Sequence, residues 1–185
     1  MCDWCTPLQI TLLALLLGIS SAVAAAFALW TVAVMLWLLN RVFDGFDGPL
    51  ARVQQRQSDL GGYLDIVLDF VVYSAIPLGI ALALDSREVW LVLAVLQATF
   101  LVNAASWMYL AAVLERRGHG AASRGEMTSV TMPRGLVAGT ETVVFYTLFL
   151  LWPQHFVTLA IIMAAGVTIG IVQRIVWAAR NLGSR

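Results

Sequence analysis

Four aspartates at helical spacings are the residues of this sequence best suited to chemistry. They are Asp44, Asp47, Asp65 and Asp69. Residues three or four apart share one face of an α-helix, so each pair of carboxylates projects from one side of its helix. Carboxylates that lie close together need cations to stay ionised. Oxygen ligands without a nearby His or Cys favour Mg²⁺ or Mn²⁺, and two such ions can clamp a diphosphate.

Small residues and one arginine accompany these acids. Gly48 and Ala51 share the face of the first pair, and Gly61 shares the face of the second. Without large side chains, these positions let a bulky ligand approach the backbone. Arg52 presents a planar fork that suits phosphate oxygens. The pattern therefore predicts a metal-dependent site for a diphosphate.

The composition of the chain predicts that this site is built on membrane helices. The chain has 185 residues, of which 61% are hydrophobic and 12% charged, a composition too apolar for a soluble domain. A spanning helix needs ~20 residues, so the sequence predicts one all-α membrane domain, residues 1–185, with about six transmembrane helices. The predicted helices are 8–25, 27–46, 60–84, 89–114, 132–151 and 156–179. Residues 8–26 resemble a signal peptide, but the apolar run continues and no basic residue precedes it, so we expect a retained first helix.

The basic residues predict the orientation of these helices. All eleven are arginines; ten fall at one set of helix ends, and only Arg87 falls at the other. Because positive charge is retained on the cytoplasmic side, both termini and the aspartates are expected there, in a multi-pass protein of the cell (inner) membrane. No basic domain supports binding to nucleic acid.

The spacing of the whole motif resembles the signature of the CDP-alcohol phosphatidyltransferases. The residues at eight positions agree with this signature, in the pattern Asp44-x2-Asp47-Gly48-x2-Ala51-Arg52-x8-Gly61-x3-Asp65-x3-Asp69. The resemblance implies transfer of a phosphatidyl or similar group from a CDP-activated lipid to a small polar alcohol, with release of CMP. It also implies two divalent ions, Mg²⁺ or Mn²⁺, and a homodimer surrounded by membrane lipids.

The resemblance also implies roles for individual residues. Asp44, Asp47 and Asp65 would hold the metals, and Asp69 would be the base for the acceptor hydroxyl and a further metal contact. The CDP-lipid would be bound by Gly48, Ala51, Arg52 and Gly61.

The identity of the acceptor alcohol stays open. Asn103-Ala-Ala-Ser106 stands where many glycerophosphate-using members carry an Arg-Glu-Ile cluster, and an Arg-Phe-Asn pattern common in serine-using members is missing. Arg134, at the start of the fifth predicted helix, and Glu141, two turns later on the same face, are the candidate acceptor-binding residues. Glycerol 3-phosphate, serine, inositol and inositol phosphate are all open as acceptors.

Two other functions use similar residues. An intramembrane prenyltransferase also binds a diphosphate through metals and aspartates, although its motifs lie on distant helices. A non-enzymatic cation transporter could use the acids as an ion site, but it would favour acids at the middle of several helices.

Cys2 and Cys5 form a Cys-x-x-Cys without further ligands, and we expect a reduced terminus.

Overall fold

The computed structural model describes residues 6–55, 58–118 and 139–182, and these ranges fold as α-helices joined by short turns. The helices are α1 (Pro7–Ala26), α2 (Trp30–Val53), α3 (Asp59–Leu84), α4 (Arg87–Arg116), α5 (Gly139–Leu151) and α6 (Phe156–Leu182), with a 3₁₀ turn at Pro153–His155. The predicted all-α fold is confirmed, and the described ranges contain six α-helices. Cys2, Cys5, Arg134 and the predicted start of the fifth helix at residue 132 lie outside the described ranges.

Within the described ranges, four segments are long and apolar enough to cross a membrane: α1, α3, α4 and Pro153–Leu182. The described part of α5 is apolar but shorter. The helix α2 is not among these four segments, and its C-terminal half carries Arg41, Asp44 and Asp47. Charged residues are costly in a membrane and usually serve a function.

The second helix is longer than the sequence predicted. It continues past residue 46 to Val53, although Pro49 lies inside it. A proline removes a single backbone hydrogen bond and already has a φ close to the helical value, so the turns on either side can remain helical. The predicted end at residue 46 was wrong, and the consequence is that Asp44, Gly48 and Arg52 lie on one continuous helix.

The caps explain where several helices begin. The hydroxyl of Ser58 accepts a hydrogen bond from the backbone N–H of Gly61 at 3.1 Å, which confirms the predicted start of α3. Thr6 and Gln9 form a reciprocal capping box at the start of α1. Between α1 and α2 the chain turns tightly, with Ala28 at a φ of 56°.

Close packing of α1 against α2 and α3 builds the half of the bundle that carries the aspartates. A Cβ added at Gly18 would lie 2.5 Å from Val72, and one at Gly79 would collide with the carbonyl oxygen of Ala22. Small residues at such crossings let membrane helices approach each other closely.

An aromatic core joins this half to the rest. Its four fully buried rings are those of Trp37, Tyr146, Phe149 and Phe156. The centroids of successive rings in this order are 5.1–5.5 Å apart. The helix α4 packs mainly against α6, while α5 contacts α2 and α6.

Candidate active site

Three of the four predicted aspartates line one small cleft. Asp44 comes from α2, and Asp65 and Asp69 come from α3, while Thr11 and Ala14 of α1 form its inner wall. The space is about 10 Å³, close to the volume that one water molecule requires. The acids of α2 and α3 therefore face the same cleft at these three positions. Asp47 lies on α2 one turn after Asp44, and its side chain is outside what the structure describes.

Arg41 lies between two of these carboxylates. Its Nη2 donates a hydrogen bond to Oδ1 of Asp69 at 2.8 Å, and its Nη1 lies 3.4 Å from Oδ2 of Asp44. The side chain of Arg41 is 10% exposed, whereas those of Asp44 and Asp69 are 25% and 27% exposed. A cation thus bridges the two helices from the buried side, and the carboxylates retain access from the other side.

Aromatic and polar side chains hold this guanidinium in place. Its Cζ lies 4.6 Å from the ring centre of Trp37 and 5.2 Å from that of Tyr73. Nη1 also donates to the hydroxyl of Tyr73 at 2.8 Å, and Nε donates to Oδ1 of Asn40 at 2.7 Å. Asn40 is itself fixed by the hydrogen bond from its Nδ2 to the carbonyl oxygen of Ala14, at 2.7 Å.

The predicted CDP-lipid residues lie on the same two helices as the aspartates, but they are not among the residues that line the cleft. Arg52 is exposed, and its Nη1 would lie 3.6 Å from a Cβ placed on Gly48, so the guanidinium reaches back along α2 toward the aspartates. Ala51 is partly buried on the same helix. Gly61 lies in the first turn of α3, where its N–H is already bonded to Ser58.

The two predicted acceptor residues are not brought together within the described chain. Arg134 lies outside it. Glu141 is exposed in the first turn of α5, the helix that contacts α2. Asn103 and Ser106 of α4 accept hydrogen bonds from a different arginine, Arg174 of α6. Arg174 is 6% exposed.

The donor set suits a hard divalent cation. Among the residues that the structure describes, no three acidic, His or Cys side chains converge tightly enough to hold a metal ion in their present arrangement. Asp44, Asp65 and Asp69 nevertheless offer only oxygen atoms to one cleft, and a cation already lies against two of them. By the chemistry of these donors, they are the described residues that could hold Mg²⁺ or Mn²⁺.

Sequence reasoning missed Arg41, Asn40 and Tyr73 as residues of this site. Arg41 was counted only as one of the arginines that set orientation. Its position three residues before Asp44 was a usable signal, because such residues face each other on a helix. The contact with Asp69 joins two helices and has no local signature in the sequence.

Comparison with known proteins agrees with these observations. The family model described as CDP-alcohol phosphatidyltransferase matches residues 4–172. "Inner membrane protein YnjF" of Escherichia coli K12 is 35% identical over 156 residues, which cover 82% of this chain and 72% of YnjF. "Phosphatidylcholine synthase" of Mesorhizobium japonicum is 31% identical over 156 residues, 82% of this chain and 52% of that protein. A "Bifunctional IPC transferase and DIPP synthase" of Thermococcus kodakarensis is 41% identical over 91 residues, 49% of this chain and 21% of that protein.

The fold and the cleft define an integral membrane protein of the helical class with an acidic site between two helices. The chain belongs to the CDP-alcohol phosphatidyltransferase family. It is therefore a transferase of phospholipid biosynthesis that uses a CDP-alcohol donor, and members of this family typically use divalent metals.

Proposed function

We propose that this enzyme transfers a phosphatidyl group from a CDP-activated lipid, such as CDP-diacylglycerol, to the hydroxyl of a small polar alcohol. The acceptor oxygen attacks the phosphorus atom next to the lipid, a new phosphorus–oxygen bond forms, and CMP leaves with the oxygen of the broken bond. The observation that carries the proposal is the convergence of Asp44, Asp65 and Asp69 on one cleft, at the spacing that the family signature requires.

We assign the three described aspartates and Asp47 to the chemistry as follows. Asp44, Asp47 and Asp65 would hold the divalent ions, and Asp69 would take the proton of the acceptor hydroxyl and also contact a metal. Bound divalent ions would neutralise the negative charge that develops on the diphosphate oxygens. Asp69 suits the role of base because its carboxylate is partly exposed and lines the cleft from α3.

The remaining predicted residues bind substrate in this proposal. Gly48, Ala51 and Gly61 leave room for the cytidine diphosphate along α2 and α3, and Arg52 binds its phosphate oxygens. The reach of Arg52 back over Gly48 supports that role. Arg134 and Glu141 are proposed to bind the acceptor, and Glu141 lies in the first turn of α5, the helix that contacts α2.

The arginine distribution supports the orientation of the enzyme in the membrane, and the resemblance to the family supports a homodimer. We propose that the enzyme is a homodimer in the cytoplasmic (inner) membrane of its cell, with both termini and the cleft on the cytoplasmic side. The name of the YnjF relative, an inner membrane protein, supports this location.

One assay tests the reaction. Purified enzyme in detergent is given radiolabelled CDP-diacylglycerol and Mg²⁺ or Mn²⁺, with one acceptor at a time: glycerol 3-phosphate, serine, inositol, inositol phosphate or choline. Choline is included because one relative is named as a phosphatidylcholine synthase. We expect acceptor-dependent release of CMP and one new phospholipid identified by mass. Release of pyrophosphate from a prenyl diphosphate would instead indicate a prenyltransferase, and absence of CMP with every acceptor would contradict the proposal.

A further inference from the structure

Arg41 contacts one oxygen atom on each of two carboxylates that a metal ion in this cleft would use. Its guanidinium contacts Oδ1 of Asp69 at 2.8 Å and Oδ2 of Asp44 at 3.4 Å. The cleft beside these carboxylates has only about 10 Å³ of space. A divalent ion that binds Asp44 and Asp69 there would lie next to a fixed positive charge. Two cations so close repel each other strongly where little water is present to screen them.

The neutral partners of Arg41 can hold its guanidinium after it has lost its contacts with the two carboxylates. The rings of Trp37 and Tyr73 attract its positive charge, and Asn40 and the Tyr73 hydroxyl accept hydrogen bonds from Nε and Nη1. These neutral partners remain available when the contacts with the two carboxylates are given up. Arg41 is thus held by two sets of partners, one neutral and one acidic.

Building on the proposed role of Asp44 and Asp69 at the metal site, we propose that Arg41 is a positioning residue that competes with the divalent ion for these carboxylates. Without metal, Arg41 joins α2 to α3 and keeps the acidic cleft closed. Metal binding displaces the guanidinium toward Trp37, Tyr73 and Asn40. Arg41 therefore sets the metal concentration at which the cleft opens for substrate.

Binding of Mn²⁺ to the full-length enzyme in an uncharged detergent tests this role without any substrate. Electron paramagnetic resonance of free Mn²⁺ gives the dissociation constant, and thermal unfolding with EDTA or with saturating Mn²⁺ gives the stability of each state. The variants are Arg41→Met, which removes the charge, and Arg41→Lys, which keeps a charge but loses the planar fork. Arg174→Gln is the matched control, because Arg174 is also a buried arginine but bonds to the neutral Asn103 and Ser106.

We expect Arg41→Met to bind Mn²⁺ roughly tenfold more tightly than the wild type, because a competing positive charge within ~4 Å has been removed. It should unfold at a lower temperature in EDTA, and saturating Mn²⁺ should restore most of the loss. Arg41→Lys should tighten binding severalfold, and Arg174→Gln should leave the Mn²⁺ dissociation constant within about twofold.

Unchanged or weaker Mn²⁺ binding by Arg41→Met would overturn the competition, since an arginine that merely supports the aspartates would make metal binding worse when lost. Equal tightening in Arg174→Gln would overturn it too, because net charge would then be the cause. If Arg41→Met does not fold, Arg41→Lys decides by the same criteria. If the Arg41 variants bind Mn²⁺ as expected but the wild-type enzyme never releases CMP, only the proposed function is contradicted.

Discussion

The hydroxyl of Tyr146 on α5 donates a 2.6 Å hydrogen bond to the backbone carbonyl of Tyr73 on α3. Pro77 lies four residues after Tyr73 inside the same helix and has no N–H to donate to that carbonyl. Tyr146 therefore supplies the donor that the helix lacks. The side chain of Tyr73 in turn accepts a hydrogen bond from Arg41, so this contact links α5 to the acidic cleft.

Replacing Tyr146 by Phe should destabilise the protein. The buried carbonyl of Tyr73 would lose its donor, and an unsatisfied buried polar group costs about 1–3 kcal/mol in the free energy of unfolding. Thermal unfolding in detergent measures the change. Tyr109→Phe is the control, because Tyr109 is 71% exposed and its loss of a hydroxyl should have little effect.

A double-mutant cycle with Pro77→Ala tests the cause. An alanine at position 77 brings back a backbone N–H for the Tyr73 carbonyl, so Tyr146→Phe should cost clearly less in the Pro77→Ala background. An equal cost in both backgrounds would show that Tyr146 stabilises the fold in some other way, such as through ring packing.

Replacing Gly79 by Ala should loosen the contact between α1 and α3. A Cβ at this position would collide with the carbonyl of Ala22, which is backbone and cannot move aside alone. Such overpacking typically costs about 1–3 kcal/mol in the free energy of unfolding. Gly45→Ala serves as the control in the same thermal measurement, because no atom lies within 4 Å of a Cβ there. A Gly79→Ala protein as stable as Gly45→Ala would contradict the close helix contact.

The sequence predicted those parts of the fold and site that depend on local periodicity. The apolar runs predicted the helices, and the helical spacing of the acids predicted that Asp65 and Asp69 would share one face. Each of these features is governed by residues within two turns of one another.

The contacts that cross between helices could not be predicted in this way. Pro77 indicates from the sequence that the carbonyl of Tyr73 has no helical N–H donor. The donor that replaces it, Tyr146, comes 73 residues later and cannot be identified from the sequence. Arg41 is bonded to Asp69, which lies 28 residues away in the sequence. The pairing of distant side chains depends on how the helices pack, and no spacing in a single sequence records it.

Removal of divalent metal should abolish turnover and lower stability. In EDTA, the positive charge beside Asp44 and Asp69 would come from Arg41 and not from a metal ion. CMP release from CDP-diacylglycerol should then fall to background. Adding Mg²⁺ or Mn²⁺ should restore CMP release and raise the unfolding temperature, because an ion that binds only the folded state stabilises it. Full CMP release in excess EDTA would contradict a metal-dependent reaction.

Asp69→Asn should abolish turnover while Mn²⁺ binding is retained. An amide at this position cannot accept the acceptor's proton, and loss of a general base typically slows a reaction by about 10²–10⁴-fold. Asp44, Asp47 and Asp65 would still bind the metal, so electron paramagnetic resonance should detect bound Mn²⁺ in the variant. Asp59→Asn is the matched control, since Asp59 is exposed in the first turn of α3 and should be dispensable for CMP release. CMP release by Asp69→Asn at the wild-type rate would show that another group takes the proton.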